Sequence, residues 1–157
     1  MGTSVPDWSR ECPGVDQAGR TFAVMAFGPE AAPVAQRWCA EISGPTWSWH
    51  GESATDEALM LLGDEMGKAK VGWRLMLTGP EIDVLRACAV AENRGALASE
   101  ILAFVVGSRQ RRVWCAHCGT TTDAQAGTVE CAGCGRRLRV EAHVSRRHAA
   151  YLGVEAG

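Results

Sequence analysis

The chain has 157 residues, 46% of them hydrophobic, and a formal charge of −2, which suits a globular protein with one modest core and an accessory module. No apolar run in it approaches the roughly 20 residues of a bilayer-crossing helix, so a membrane function through such a helix is excluded. The small net charge conceals a division: residues 1–108 carry eight Lys/Arg against fourteen Asp/Glu, whereas residues 109–148 carry eight Arg against three acids.

Residues 1–18 contain Pro6, Pro13 and Gly14 without hydrophobic periodicity and are expected to form a flexible leader that orders on a partner. The first residues lack a basic stretch followed by an apolar core, and the cysteine count of seven is odd. Both features argue against a secretory leader and for a reducing compartment, the cytoplasm. Cys12 is expected to be exposed, and Cys39 and Cys88, in apolar helical contexts, to be small buried residues.

The run Thr21-Phe-Ala-Val-Met-Ala-Phe27 suits a buried strand that Gly28-Pro29 ends. Residues 30–42 suit a helix with Val34, Trp38 and Ile42 on one face, and residues 44–50 a short edge strand or an ordered loop whose Trp47 and Trp49 serve packing. A second helix is predicted over 53–66, with Ala54, Leu61 and Leu62 among its apolar positions and Gly67 as its stop, followed by a strand over 71–78. Gly79-Pro80 opens a third helix with Pro80 at its first position, Glu81 and Asp83 in its first turn, Ile82, Leu85 and Ala89 as its inward stripe and Gly95 as its end. Residues 100–106 then make another strand. Strands alternating with helices predict an α/β domain over residues 19–108 built on a small parallel sheet. Its first loop, Gly28-Pro-Glu-Ala-Ala-Pro33, offers one glycine where a pyrophosphate site needs several, removes amide donors at Pro29 and Pro33, and places Glu30 where phosphate would sit. No cofactor-binding residue is expected there.

Residues 109–157 carry the most specific pattern in the chain, Cys115-Ala-His-Cys118-Gly119 and Cys131-Ala-Gly-Cys134-Gly135. Each pair can form a tight knuckle whose sulfurs point at one ion, with the following glycine supplying a permissive backbone. Cys115, Cys118, Cys131 and Cys134 are therefore expected to hold a structural zinc ion in a zinc-ribbon domain, with a single iron as the alternative on the same ligands. Four thiolates fill a tetrahedral shell, so neither His117 inside the first knuckle nor His143 or His148 beyond the second is expected as a ligand. The polar segment between the knuckles is predicted to be a short hairpin reaching from one to the other. A basic C-terminal tail follows. His143, Arg146, Arg147, His148 and Tyr151 combine cationic forks with amphipathic rings and are expected to form a partner interface. For the arginine-rich surface of residues 109–148 as a whole, a solvated face or one docked on the chain's own acidic half comes first, an acidic partner protein second and nucleic acid third. Outside the ribbon there is no His/carboxylate cluster, dinucleotide fingerprint or nucleophile motif, so no catalytic residue is expected.

Two family resemblances rest on these motifs. Leu75-Met-Leu-Thr-Gly-Pro-Glu81, its helix, Gly95 and Glu100-Ile-Leu resemble the last strand-helix-strand portion of nicotinamide-binding modules in ferredoxin-reductase-type flavoproteins, with Thr78 where those carry cysteine. This implies a reductase-like scaffold, and the departures in its first loop imply one that no longer binds nucleotide. The Gly79-Pro-Glu-x-x-Val84 helix, the closely spaced knuckles and His143-Val-Ser-Arg-Arg-His-Ala-Ala-Tyr-Leu-Gly153 resemble the small DmmA-type subunit of bacterial dimethylamine monooxygenase. That resemblance implies an accessory subunit, not itself catalytic, of a multisubunit NADPH-dependent enzyme. Heme, flavin or iron–sulfur centres are then expected on the other subunits, which are the expected partners in place of nucleic acid. Competing classes are a nucleic-acid-binding zinc ribbon and a rubredoxin-like electron carrier.

Overall fold

A computed structural model describes residues 8–108, 110–125 and 127–157, which form two units, Trp8–Gly107 and Ser108–Gly157. Residues 1–7 of the expected leader lie outside the described residues.

In the first unit, β1 (Thr21–Phe27), β2 (Thr46–Gly51), β3 (Trp73–Gly79) and β4 (Ile101–Val105) form a wholly parallel sheet in the order β2-β1-β3-β4. Continuous apolar runs are what a strand covered on both faces requires. Alternate residues of β1 divide between two layers. Ala23, Met25 and Phe27 join Leu75 and Leu77 under α2 (Asp56–Met66) and α3 (Glu81–Asn93), while Phe22 and Val24 join Met76 under Trp38 of α1 (Ala32–Glu41). The expected α/β class with a parallel sheet is borne out, and residues 44–50 resolve into the edge strand β2.

Several local expectations are corrected. Helix α2 begins at Asp56, not residue 53, because Thr55 is its N-cap and accepts a hydrogen bond from the Ala58 amide at 3.2 Å. Leu61 faces outward, 43% exposed, because the buried side of α2 is formed by Ala58, Leu62 and Gly63. Pro80 is the N-cap of α3, one position ahead of the expected one. The inward stripe of α3 is Val84, Leu85, Ala87 and Ala91, not Ile82 and Ala89, and Glu81 and Asp83 are buried with it. Their carboxylates find partners inside: Trp8 Nε1 donates to Glu81 at 2.7 Å and the Ala54 amide donates to Asp83 at 2.8 Å. Cys39 is exposed and Cys12 half-buried, the reverse of expectation. Residues 8–16 lie against the unit, since Trp38 Nε1 donates to the Pro13 carbonyl at 2.9 Å and Arg74 to Asp16 at 2.7 Å.

The second unit is a five-stranded sheet in the order β6-β5-β9-β8-β7, from β5 (Arg111–Cys115), β6 (Thr121–Ala124), β7 (Thr128–Glu130), β8 (Arg137–Ser145) and β9 (Ala150–Glu155). The predicted hairpin between the knuckles is overturned, because β6 and β7 occupy opposite edges. Each knuckle instead closes its own hairpin: β6 pairs antiparallel with β5, and β7 with β8. Residues 143–153, read from sequence as a tail, belong to β8, the turn after it and β9, and β9 lies parallel to β5 and antiparallel to β8. Among the described residues, no helix is long and apolar enough to cross a membrane.

Candidate metal centre

The two Cys-x-x-Cys turns are built alike. At the end of β5 the Gly119 amide donates to the Cys115 carbonyl at 2.8 Å, and after β7 the Gly135 amide donates to the Cys131 carbonyl at 2.9 Å. Gly119 and Gly135 adopt φ values of 76° and 72°, a left-handed conformation that costs glycine nothing. Two further bonds lock the turns to their strands, from the Cys115 amide to the Thr120 carbonyl and from the Cys131 amide to the Arg136 carbonyl.

The turns thereby bring Cys115, Cys118, Cys131 and Cys134 together, with all four sulfurs within 4.8 Å of one another. Cys115 Sγ lies 3.9 Å from Cys134 Sγ and Cys118 Sγ lies 3.5 Å from Cys131 Sγ. Disulfides of about 2.05 Å do not have this spacing. An ion about 2.3 Å from each sulfur at tetrahedral angles sets an edge of about 3.8 Å, which the two distances bracket. The donor set therefore fits one metal ion, and the closed shell keeps no position for a substrate. His117 is exposed in its turn.

The sulfurs differ electrostatically. The Thr120 side chain, and then its backbone, hydrogen-bond to Cys118 and lower its pKa to about 6. The Cys134 amide lowers Cys131. At Cys134 the Arg136 amide pulls downward, but desolvation and the sulfurs of Cys131, Cys118 and Cys115 outweigh it and push the thiol up to about 11. Four thiolates brought this close repel one another, and a cation held among them would offset that repulsion.

Sequence reasoning missed two supporting residues, Thr120 and Gly133. A Cβ at Gly133 would collide with Thr120 Oγ1 and come within 3.0 Å of Cys118 Sγ, so any larger residue there has to displace Thr120 or the sulfur. The signal was present in Cys-Ala-Gly-Cys, set against Cys-Ala-His-Cys in the first knuckle.

Of the expected interface residues, Arg146 and Arg147 are exposed in the β8–β9 turn and His143 is half-buried on β8. His148 stacks on Trp114 with ring centroids 4.5 Å apart and planes 7° from parallel. Tyr151 is fully buried, with the Arg111 guanidinium 4.5 Å above its ring.

In the α/β unit, β1 lies between β2 and β3, so the crevice at the carboxyl ends of β1 and β3 is where such a sheet would receive a ligand. The chain fills that place itself. Pro29 and Glu30 form a single 3-10 turn there, and a Cβ at Gly107 would meet the Glu30 carboxylate at 3.3 Å and Pro80 at 3.7 Å. Thr78 Oγ1, at the end of β3, is buried without a hydrogen-bond partner.

Comparison with known proteins gives two similarities. Residues 112–154, which contain both knuckles and β9 up to Val154, match the family described as dimethylamine monooxygenase subunit DmmA-like, C-terminal domain. The chain is also 41% identical over 96 residues to the heme-dependent oxidative N-demethylase delta subunit of Ectopseudomonas mendocina (strain ymp). That stretch covers 60% of this chain and 55% of the relative, so the chain spans about half the length of the curated protein it matches. No solved structure matches. The DmmA-type resemblance drawn from the knuckles and the residues beyond them is borne out.

Proposed function

From a C-terminal unit of the DmmA-like type, we propose that the chain is an accessory subunit of a multisubunit, NADPH-dependent dimethylamine monooxygenase acting in the cytoplasm. The complex converts dimethylamine, O2, NADPH and a proton to methylamine, formaldehyde, NADP+ and water. This chain organises assembly or the electron path. The observation that carries the proposal is the joint occurrence, in one unit, of the four-sulfur cluster and the DmmA-like match.

Cys115, Cys118, Cys131 and Cys134 hold zinc in this account, and bound zinc supplies a cross-link between the two hairpins. The reductase-like α/β unit binds no nicotinamide or flavin nucleotide, an assignment supported by Glu30 and Pro80 at the sheet's crevice. Heme, flavin or iron–sulfur centres belong to the other subunits. Arg146 and Arg147, flanked by His143 and His148, dock on those subunits, and Tyr151 supports the surface from within by seating Arg111.

Co-purification from the native host, with subunit identification by mass spectrometry, a visible spectrum and amine-dependent NADPH oxidation, tests the proposal. The expected result is a stable complex containing one zinc per copy of this chain. Replacing both Arg146 and Arg147 with alanine is expected to weaken assembly and leave the metal in place. A chain that purifies alone and binds DNA or RNA with steep salt dependence would move the assignment to a nucleic-acid-binding ribbon. Iron with thiolate charge-transfer colour would move it to an electron carrier.

A further inference from the structure

Helix α2 presents an unusual outer surface. At about 100° per residue, Glu57, Met60, Leu61 and Asp64 share one side of the helix, away from the arc that carries the buried Ala58, Leu62 and Gly63. Met60 is 67% exposed and Leu61 43%. Beside them a groove of about 370 Å³ runs between α2 and α3, lined by Asp56, Leu59, Met60, Val90, Asn93 and Arg94. Scattered exposed apolar residues are ordinary, but an exposed pair of which Met60 opens into a groove part-walled by Leu59 and Val90, flanked by charge, has the anatomy of an interface.

The flanking charges determine what fits. Glu57 and Asp64 are exposed at either end of the apolar pair, and Asp56 stands at the groove, bonded to Arg86 at 3.0 Å. Residues 1–108 carry fourteen acids against eight bases, so the surrounding field is negative as well. Arg94, the cation in the groove lining, is seated against Gly63, where its guanidinium carbon would lie 2.6 Å from an added Cβ. An anionic lipid surface or a nucleic acid is repelled by such a rim. A cationic protein surface with its own apolar anchor is complementary to it.

We propose that the outer face of α2, with the α2–α3 groove, is a docking surface for a basic, apolar-centred surface of another subunit of the oxygenase. The partner's identity rests on the function proposed above, but the surface shares no residue with the β8–β9 turn. Met60 and Leu61 supply the anchor, and Glu57 and Asp64 set orientation and exclude acidic competitors.

The full tagged chain in its native host provides the test. A photoreactive phenylalanine analogue in place of Met60 is expected to cross-link to a Lys/Arg-bearing peptide of another oxygenase subunit. The same analogue in place of Val71, itself 93% exposed, is not. Met60→Ser combined with Leu61→Ser should lower recovery of that subunit about tenfold or more, with metal content and unfolding transition unchanged because both side chains face outward. Glu57→Lys combined with Asp64→Lys should also lower it and reduce the salt dependence of what remains. Undiminished recovery with both double variants refutes the docking surface and leaves the proposed function standing, whereas a wild-type chain that recovers no oxygenase subunit refutes both. Self-association of the wild type that the serine variant abolishes would give the face to a second copy and refute the partner named here.

Discussion

In the α/β unit, Ala23, Met25, Phe27, Leu75 and Leu77 are fully buried beneath two helices, and Val24, Met76 and Trp38 close the opposite layer. The C-terminal unit buries far less: its main cluster consists of Val113, Cys115, Ala124, Cys131 and Leu138, and two of those five belong to the four-sulfur cluster. The same chain thus uses two means of paying for conformational entropy. Layered burial suffices where helices cover a sheet on both faces, whereas a small sheet with turn-rich edges gains from the ion proposed for its four converging sulfurs.

That contrast can be broken first at the metal. Cys131→Ser removes a buried ligand, and the C-terminal unit is expected to lose most of its folded population while the α/β unit keeps its helical signal. Structural zinc contributes on the order of 10 kcal/mol to such units, so elemental analysis and limited proteolysis should show metal loss and cleavage beyond residue 108 together. Equal destabilisation of both units would refute the division of labour. The reciprocal experiment is Leu75→Ala, which opens a cavity in the layered core. A loss of about 2–5 kcal/mol in denaturant unfolding of the α/β unit is expected, with metal content unchanged.

Gly133→Ala sharpens the comparison inside the metal unit. The added methyl meets Thr120 and Cys118 Sγ, and overpacking of this kind costs about 1–3 kcal/mol, read as weaker metal retention against a chelator. Unchanged retention would show that the second knuckle opens freely.

Least in size is an acid-range effect confined to the α/β unit. The Arg74 side chain hydrogen-bonded to Asp16 holds that carboxyl below its ordinary value, with the Ala18 amide adding to the effect. A lowered carboxylate stabilises the fold above its unfolded pKa of about 3.9, and the contribution fades as pH falls through the lowered value. Asp16→Asn should flatten that part of the acid-unfolding curve, and an unaltered curve would show that the pair contributes nothing.

The parts of the molecule legible in sequence are those whose signal is local. Residues 21–27 announce a doubly covered strand by composition, and two Cys-x-x-Cys-Gly turns announce converging sulfurs by spacing alone. What sequence did not reveal depends on partners distant along the chain. Residues 121–124 and 128–130 look like two arms of one hairpin, yet their real neighbours are β5 and β8. The stripe of α3 was misplaced because Glu81 and Asp83 look solvent-bound until Trp8 and Ala54 supply partners 73 and 29 residues away. Cys39 shares its apolar setting with buried cysteines, and only the tertiary position of α1 exposes it.

The placement of β9 between β5 and β8 has a kinetic consequence. Cysteines 115 to 134 can converge on an ion within a short loop, whereas Val113 must find Tyr151 across a longer one. Loop-closure entropy therefore favours metal capture before the sheet closes. A chain refolding with its ion present begins from a cross-linked nucleus and the local β8–β9 hairpin, and pairs β9 with β5 last. A chain refolding without it must search for a parallel pairing unaided, leaving the facing edges of β5 and β9 open to other molecules during that search.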